Sequence, residues 1–487
     1  MQSGEVGRST NGLKYASING TFRTAKLRLS FVIVGASVAG LACAYSLKKA
    51  GHDVLVLEAE DGLSKSPGGV RIPPNMSQIM MQWGLQAELE KGSGGKSPKA
   101  VFKSAFTGEF LGEVLYYGEI MEAFESDLYV MHHADLIMML YKHAVNAGAR
   151  FSFSSRVINI NPAAASVTLS NGEEICGDII VGADGDTSIV RPILFGETNS
   201  EVERSGIYTT YIFTISSTLM KDDQELIDLI EDPKWHIWMG NDWAILAHAV
   251  RGGSDLTATI FRKEETTFAQ KGWRQTVAIE GLLRDTSEIE PRLARLLKLA
   301  DAAVRTRHVI QTPLDSWYDD RGHIVVVGDA AHLLNPGSTH SAALAMEDAV
   351  VFGELFSKLT SRSSIKRLLY AYQELRQQRC DFVRASEHER AGFVTMPSGP
   401  QRDARDASMR RERERGRRDW LKSPEEQLRA QWEEMRGTYG YNALEDAENW
   451  WVEWGPLLER MVGTNRSPRN GDTYASQIFV ELQQCIG

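Results

Sequence analysis

Residues 31–58 read FVIVGASVAGLACAYSLKKAGHDVLVLE, an ungapped succession of apolar strand, glycine turn, helix, second strand and terminal acid. Phe31-Val32-Ile33-Val34 is a short apolar run of the kind found in parallel strands covered on both faces. Gly35-Ala36-Ser37-Val38-Ala39-Gly40 gives G-x-S-x-x-G, a dinucleotide fingerprint in which the middle glycine has become Ser37. Gly35 turns the chain sharply out of the strand, and Gly40 allows the helix to lie close against the sheet. Ser37 stands where backbone must approach a pyrophosphate. The helix that follows, Ala39 to Ala50, aims its free N–H groups and positive dipole end at the same place. Gly51 stops that helix, Val54 to Leu57 form the second strand, and Glu58 falls where a carboxylate accepts hydrogen bonds from an adenosine ribose. The fingerprint carries weight because it sits between strand and helix with the acid at the right distance. A domain that keeps its turn glycines for packing alone is the competing reading.

Composition sets the frame around this unit. A chain of 487 residues exceeds one simple core and suits two or three closely built lobes. The net charge of -10 argues against nucleic acid as a partner, because backbone binding needs a basic face. No apolar run is long enough to span a bilayer. Cys43, Cys176, Cys380 and Cys485 lie far apart with no C-x-x-C spacing, as reduced structural thiols of a cytoplasmic protein do. The polar stretch up to Lys26 holds a single acid, Glu5, and reads as a disordered leader, with an organelle transit peptide as the alternative.

Downstream, a loop from Asp61 to Gly69 leads to Val70-Arg71-Ile72-Pro73-Pro74-Asn75 and a helix. Arg71 is a candidate flavin or phosphate contact or a plain loop arginine. His132-His133 invites a metal reading but lacks a third ligand at a sensible offset, so no metal site is expected. Asp178 to Gly185 forms a second buried strand ending in Asp184-Gly185, with Ser188 and Arg191 after it. Residues 205 to 261 change to aromatic-rich alternation, which implies a separate, mostly antiparallel sheet. Ile324 to His332 supplies a third buried strand ending in Gly328-Asp329, and a helix starts near Ser341. Everything past Ser364 reads as helices, with the Arg-rich run 402–418 as a solvated face.

The three junctions in this order, GASVAG with Glu58, then GADGDTSIVR, then GDAAHLLNP, resemble the FAD-dependent aromatic hydroxylases, most closely their fungal salicylate-hydroxylase-like branch. The resemblance spans about residues 28 to 455 and implies an α/β fold. A doubly wound, Rossmann-like FAD/NAD(P)-binding domain (28–204, with an excursion near 76–125, and 301–363) would carry an inserted antiparallel substrate domain (205–300). A C-terminal helical region (364–487) would complete it, behind a leader at 1–27. The implied activity is oxidoreductase: FAD binds extended, NAD(P)H reduces it, and O2 supplies the atom transferred to an electron-rich ring or alkene. Glu58 would then hold the adenosine ribose beside Gly35, Ser37 and Gly40. Arg71 would lie beside the ribityl or phosphate portion, Asp329 would bind ribityl hydroxyls, and Pro336 would face the isoalloxazine. Asp184 and Arg191 match the motif tied to FAD and pyridine-nucleotide handling, and Ser341 and Ala342 head the helix at the cofactor.

Departures from the family pattern accompany these matches. His133 stands where the family has an arginine on FAD, and His340-Ser341 where it has Gln-Gly. Ile212 falls at a position that carries an arginine in many fungal relatives, and His248-Ala249 near a common Tyr-Pro. A small apolar, aromatic or polyketide-like substrate is expected between the Pro336 loop and a sheet face carrying Tyr211, Trp238 and His248. A relative that uses the pocket for non-redox cyclisation or isomerisation is the rival, with His236, His248 or His340 as acid or base. Oligomeric state is not legible.

Overall fold

The structure, a computed structural model, describes residues 23–116, 118–194, 207–231, 233–264, 274–279, 289–309, 312–335, 337–414 and 425–463. The leader through residue 22, Cys485 and Pro336 lie outside these.

Ser30–Val34 is the middle strand of a five-stranded parallel sheet, flanked by Ile179–Gly182 and Ile324–Val326 on one side and by Asp53–Leu57 and Arg150–Ser152 on the other. Its apolar run is covered on both faces, as the sequence pattern requires. The register aligns Val34 with both Gly182 and Leu57, and Gly182 with Val326. All three glycine-acid junctions therefore leave the sheet at the same carboxyl edge. The first helix, Val38–Lys49, lies between His133–Asn146 and Ser341–Ser357. Gly353 permits that closeness, since a Cβ there would meet the Ser46 Cβ at 2.5 Å.

The second sheet has eight strands in the order Arg274–Ala278, Ala302–Val309, Ile207–Ser216, Asp255–Glu264, Trp243–Val250, Trp235–Met239, Lys99–Ser104, Phe110–Leu115. Every pairing is antiparallel except Lys99–Ser104 with Trp235–Met239, where a strand from the earlier part of the chain joins in parallel. Residues alternate across it. Tyr211, Phe213, Trp238 and Ala247 pack on Leu226, Leu229, Leu293 and Leu296 of the helices Gln224–Glu231 and Pro291–Lys298. Ile237, Met239, Leu246 and Phe261 turn to the other face, with Val130 and Tyr439.

Past Ser364 the described chain is helices joined by short turns, beginning with Ile365–Val394 and ending with Glu425–Tyr439 and Ala443–Gly463. Trp450 and Trp451 pack against the main core, and Trp450 donates to Glu374 at 3.0 Å. Among the described residues no helix is long and apolar enough to cross a membrane.

Candidate active site

The carboxyl edge of the parallel sheet is built by close backbone approach. Gly35 has φ +104°, and a Cβ on it would meet the Ala183 carbonyl at 2.5 Å. A Cβ added to Gly40 would stand 2.0 Å from the Gly35 carbonyl. Gly328, at φ +60°, leaves only 2.6 Å between such a Cβ and Ala39. First and third junctions are thus in contact through glycine. Glu58 accepts from the Ala36 N–H at 2.8 Å and from the Glu60 N–H at 3.0 Å, which fixes its carboxylate at the strand end with lone pairs to spare.

Ser37 proves to be a cap. Its hydroxyl accepts from the Gly40 N–H at 3.2 Å and donates to the Ala183 carbonyl at 2.9 Å, so the side chain turns toward the second junction. Only one of the helix's unmatched N–H groups is taken in this way, and the rest of the first turn keeps its affinity for phosphate. Asp184 accepts from the Ile189 and Val190 N–H groups at 2.8 and 3.4 Å, and burial pushes its carboxyl above the usual range. Arg191 donates to the carbonyls of Ala330 at 2.7 Å, Ala331 at 3.1 Å and Thr312. Its burial brings the guanidinium down to about 10, still a cation at neutral pH. Asp329 accepts from the Ser341 hydroxyl at 3.0 Å, with Ala342 in the same first turn. An acid at a strand end, a capped helix start and a second acid along one edge form a cradle that fits an extended dinucleotide.

A buried charge network backs this cradle. Asp348 accepts from the Gly328 N–H at 2.8 Å, lies 2.6 Å from His332 Nε2, and accepts from Arg376 Nε at 2.8 Å. Arg376 also reaches Glu347 at 2.8 Å, and Glu347 holds Arg379 at 3.1 Å and Asn75 at 2.5 Å. Burial would raise both carboxyls, but the facing cations hold Glu347 and Asp348 below the ordinary carboxylate range. His332, despite burial, is held well above the usual imidazole value by Asp348 and Cys380. Its atoms and those of Asp348 and Cys380 come within 4.8 Å of one another. Arg376 is 3.8 Å from the Cys380 sulfur, so the cluster already carries its own cation.

Opposite the cradle stands the inner face of the eight-stranded sheet. A Cβ on Gly337 would meet Leu246 and Phe261 at 3.3 and 3.4 Å, and one on Gly68 would meet Ile212 at 2.5 Å. Arg71 is held by protein groups of this loop and sheet. Its guanidinium is buried, 4.5 Å over the Trp235 ring, donating to the carbonyls of Gly337 and of Ser338 at 2.8 Å. Arg71 Nη1 is 3.5 Å from His248 Nε2, and burial together with that cation keeps His248 well below its usual value and neutral. The expected trio is split by strand alternation: His248 is on this inner side, whereas Tyr211 and Trp238 point outward into the helix-covered layer, Trp238 donating to Glu290 at 2.9 Å. His236 is outward too, 3.3 Å from Lys103. His133 opens the helix His133–Asn146, and its N–H donates to the Gly68 carbonyl at 2.8 Å.

His340, fully buried, is 2.6 Å from Glu387 through Nδ1, and the same carboxylate oxygen accepts from the Thr339 N–H at 3.0 Å. Glu387 was not among the residues singled out from sequence. A signal existed: on the helix Ile365–Val394, Tyr372, Arg376, Arg379, Val383 and Glu387 recur every three or four residues on the buried stripe, and charges on such a stripe demand partners.

The family model described as an FAD binding domain matches residues 28–385. The chain is 25% identical over 427 residues to the FAD-dependent monooxygenase OpS4 of Beauveria bassiana (strain ARSEF 2860), covering 86% of this chain and 97% of that protein. It is 27% identical over 379 residues to hispidin-3-hydroxylase of Neonothopanus nambi, covering 74% of this chain and 88% of the relative. Its fold matches that of CtdE in complex with FAD and substrate 4 with a TM-score of 0.70 at 19% identity, covering 89% of this chain and 100% of that one. A salicylate hydroxylase substrate complex matches with a TM-score of 0.67 at 19% identity, covering 87% and 98%. With the glycine-lined cradle and its two acids at one sheet edge, the chain belongs to the FAD binding domain family, as a flavoprotein oxidoreductase of the FAD-dependent monooxygenase, aromatic-hydroxylase type.

Proposed function

We infer that the protein is an NAD(P)H- and O2-consuming monooxygenase that hydroxylates or epoxidises an apolar aromatic or polyketide-like metabolite. The carrying observation is the convergence of all three junctions on one edge, with Gly337 of the loop after the third lying against Leu246 and Phe261. FAD, when bound, supplies the redox chemistry by accepting a hydride and activating O2. Glu58 binds the ribose end, the first helix turn the pyrophosphate, and Asp329 the ribityl hydroxyls. The two buried sheet residues Leu246 and Phe261 and the cross-braced loop exclude water from the site where oxygen is transferred. Arg71 fixes the loop after Pro336 through the carbonyls of Gly337 and Ser338.

Anaerobic addition of NADPH or NADH to FAD-loaded protein is expected to bleach the flavin. Readmitted air should then yield a product carrying one more oxygen atom, read by mass spectrometry. Product made equally well without nicotinamide and oxygen overturns this reading.

The altered positions give a second expectation. A charge-assisted bond is worth about 1.5–3 kcal/mol, or about one to two decades of affinity. His133→Arg combined with Ser341→Gly, which also frees an oxygen of Asp329, is expected to tighten FAD binding by about that much in a fluorescence titration of apoprotein. Unchanged affinity would mean that this chain compensates for both changes.

A further inference from the structure

Among the described residues, the histidines near the two sheets stand in different settings, and one of these rings is poised as a base. His236 lies on the outward face beside Lys103. His248 has Arg71 against its Nε2. His332 is bound into the Asp348 network behind the cradle, and His133 opens a helix. His340 differs. Its Nδ1 is held by Glu387 at 2.6 Å, and its Nε2, on the opposite edge of the ring, is buried with no partner among the described residues. It follows directly on the loop whose Gly337 faces Leu246 and Phe261, and it precedes Ser341, which is bonded to Asp329. Its ring is 5.1 Å from that of Tyr439, which packs with Leu246 and Phe261 on the inner sheet face, and the residue after it is bonded to Asp329 of the cradle.

We propose that His340 and Glu387 form a general-base pair that takes a proton from a hydroxyl of the substrate, which selects phenols and enols among aromatic and polyketide-like compounds. This rests on the monooxygenase reading above. Burial outweighs the pull of Glu387 and keeps His340 below its usual imidazole value, hence neutral. Glu387, which burial alone would raise, is held below the usual carboxylate range by His340, Arg390 and Arg71, hence ionised. An ionised carboxylate at Nδ1 fixes the proton there and leaves the Nε2 lone pair bare. The groups facing the pair are Arg71 from the strand Gly69–Ile72, Arg379 and Arg390 from the pair's own long helix, and Tyr439, whose ring is 5.1 Å from the imidazole and which is bonded to Tyr116. Arg390 in turn holds Glu434 at 3.1 Å.

In the step, the substrate O–H bond breaks, its electron pair stays on oxygen, and the proton forms an N–H bond at His340 Nε2. The imidazolium is paired with Glu387, and the three nearby guanidiniums favour the oxyanion. Net charge inside the site is unchanged. An ionised oxygen raises the electron density of the ring carbon that receives oxygen.

The test uses 4-nitrophenol, whose phenolate is yellow, added to the FAD-loaded protein below the pH at which the free probe ionises. Difference absorption should show bound phenolate, with an apparent ionisation constant at least tenfold higher than in water. A pH indicator in weak buffer should show no stoichiometric proton release, because the proton stays on His340. His340→Gln, which can still donate to Glu387 but has no basic atom, should return the bound probe to its neutral form, with FAD content unchanged. Phenolate that persists in His340→Gln, phenolate accompanied by full proton release, or failure of the wild-type protein to bind the probe would each overturn the proposal. If the variant loses FAD, the proton-release measurement on the wild-type protein decides alone. Probe ionisation in a protein whose flavin is not bleached by NADPH or NADH would sink the redox reading and leave the base in place.

Discussion

Arg376→Leu is expected to lower folding stability by about 3–5 kcal/mol, the cost of leaving buried charges without their counter-ion. Arg376 is completely buried and joins Asp348 and Glu347, each at 2.8 Å. Removing it leaves Asp348 with His332 and the Gly328 N–H, and Glu347 with Arg379 and Asn75, in surroundings where desolvation cannot be recovered. The midpoint of urea unfolding should fall at unchanged slope. Because Asp348 also holds the Gly328 N–H, flavin affinity should fall with it. The pH dependence has a definite sign. Glu347 and Asp348 have folded values below their unfolded ones, so their contribution is present above the unfolded carboxylate range and is lost as acid titrates through the folded values. His332 is raised, so its contribution is complete below the ordinary imidazole value and disappears as pH climbs through its elevated folded one. Stability should therefore be greatest between these limits, and Arg376→Leu should raise the acid limb. A variant as stable as the parent would mean that the carboxylates are neutral in the folded protein.

Gly40→Ala carries the largest expected effect on cofactor binding. Helix propensity alone would favour alanine by about 1 kcal/mol. The added Cβ, however, would stand 2.0 Å from the Gly35 carbonyl and 3.3 Å from the Ala183 Cβ. No side-chain rotation relieves a clash with backbone, so the helix start must move away from the sheet. That displacement costs about 1–3 kcal/mol of packing and, with the pyrophosphate bound as proposed, takes the N–H groups out of its reach. FAD affinity is expected to drop by about two decades or more, equivalent to ~2.7 kcal/mol, while Gly62→Ala, where nothing lies within 4 Å, should bind FAD as the parent does. Equal FAD content in both variants would refute the close-approach argument.

The cradle was legible because each of its parts is local. A turn glycine, the helix after it and the acid ending the next strand lie within 28 residues. Ser37 was readable as a departure; its cap bond from Gly40 is local, but the turn of its hydroxyl toward Ala183, at the end of another strand, was not legible. The side of the sheet that Tyr211 faces was not legible, because it depends on the register of Ile207–Ser216 against strands far along the chain, and a shift of one residue reverses every side chain. The burial of Arg71 over Trp235 was not legible, because it depends on a ring 164 positions away in the chain, at 235 against 71. Glu387 was missed since the long helix was read for its existence, not for the charges on its buried stripe.

The parallel pairing of Lys99–Ser104 with Trp235–Met239 bears on how the chain is made. At about 5–20 residues per second, the earlier strand emerges from the ribosome roughly 7 to 26 s before its partner. Through that interval the stretch 99–115 has only a two-stranded hairpin for itself, too little to be stable alone. Ile324–Val326 likewise arrives long after Ile179–Gly182, which waits as an apolar open edge. Folding during synthesis is thus held back until late in translation, and a chain stalled before residue 235 would present sticky edges to chaperones and to other nascent chains.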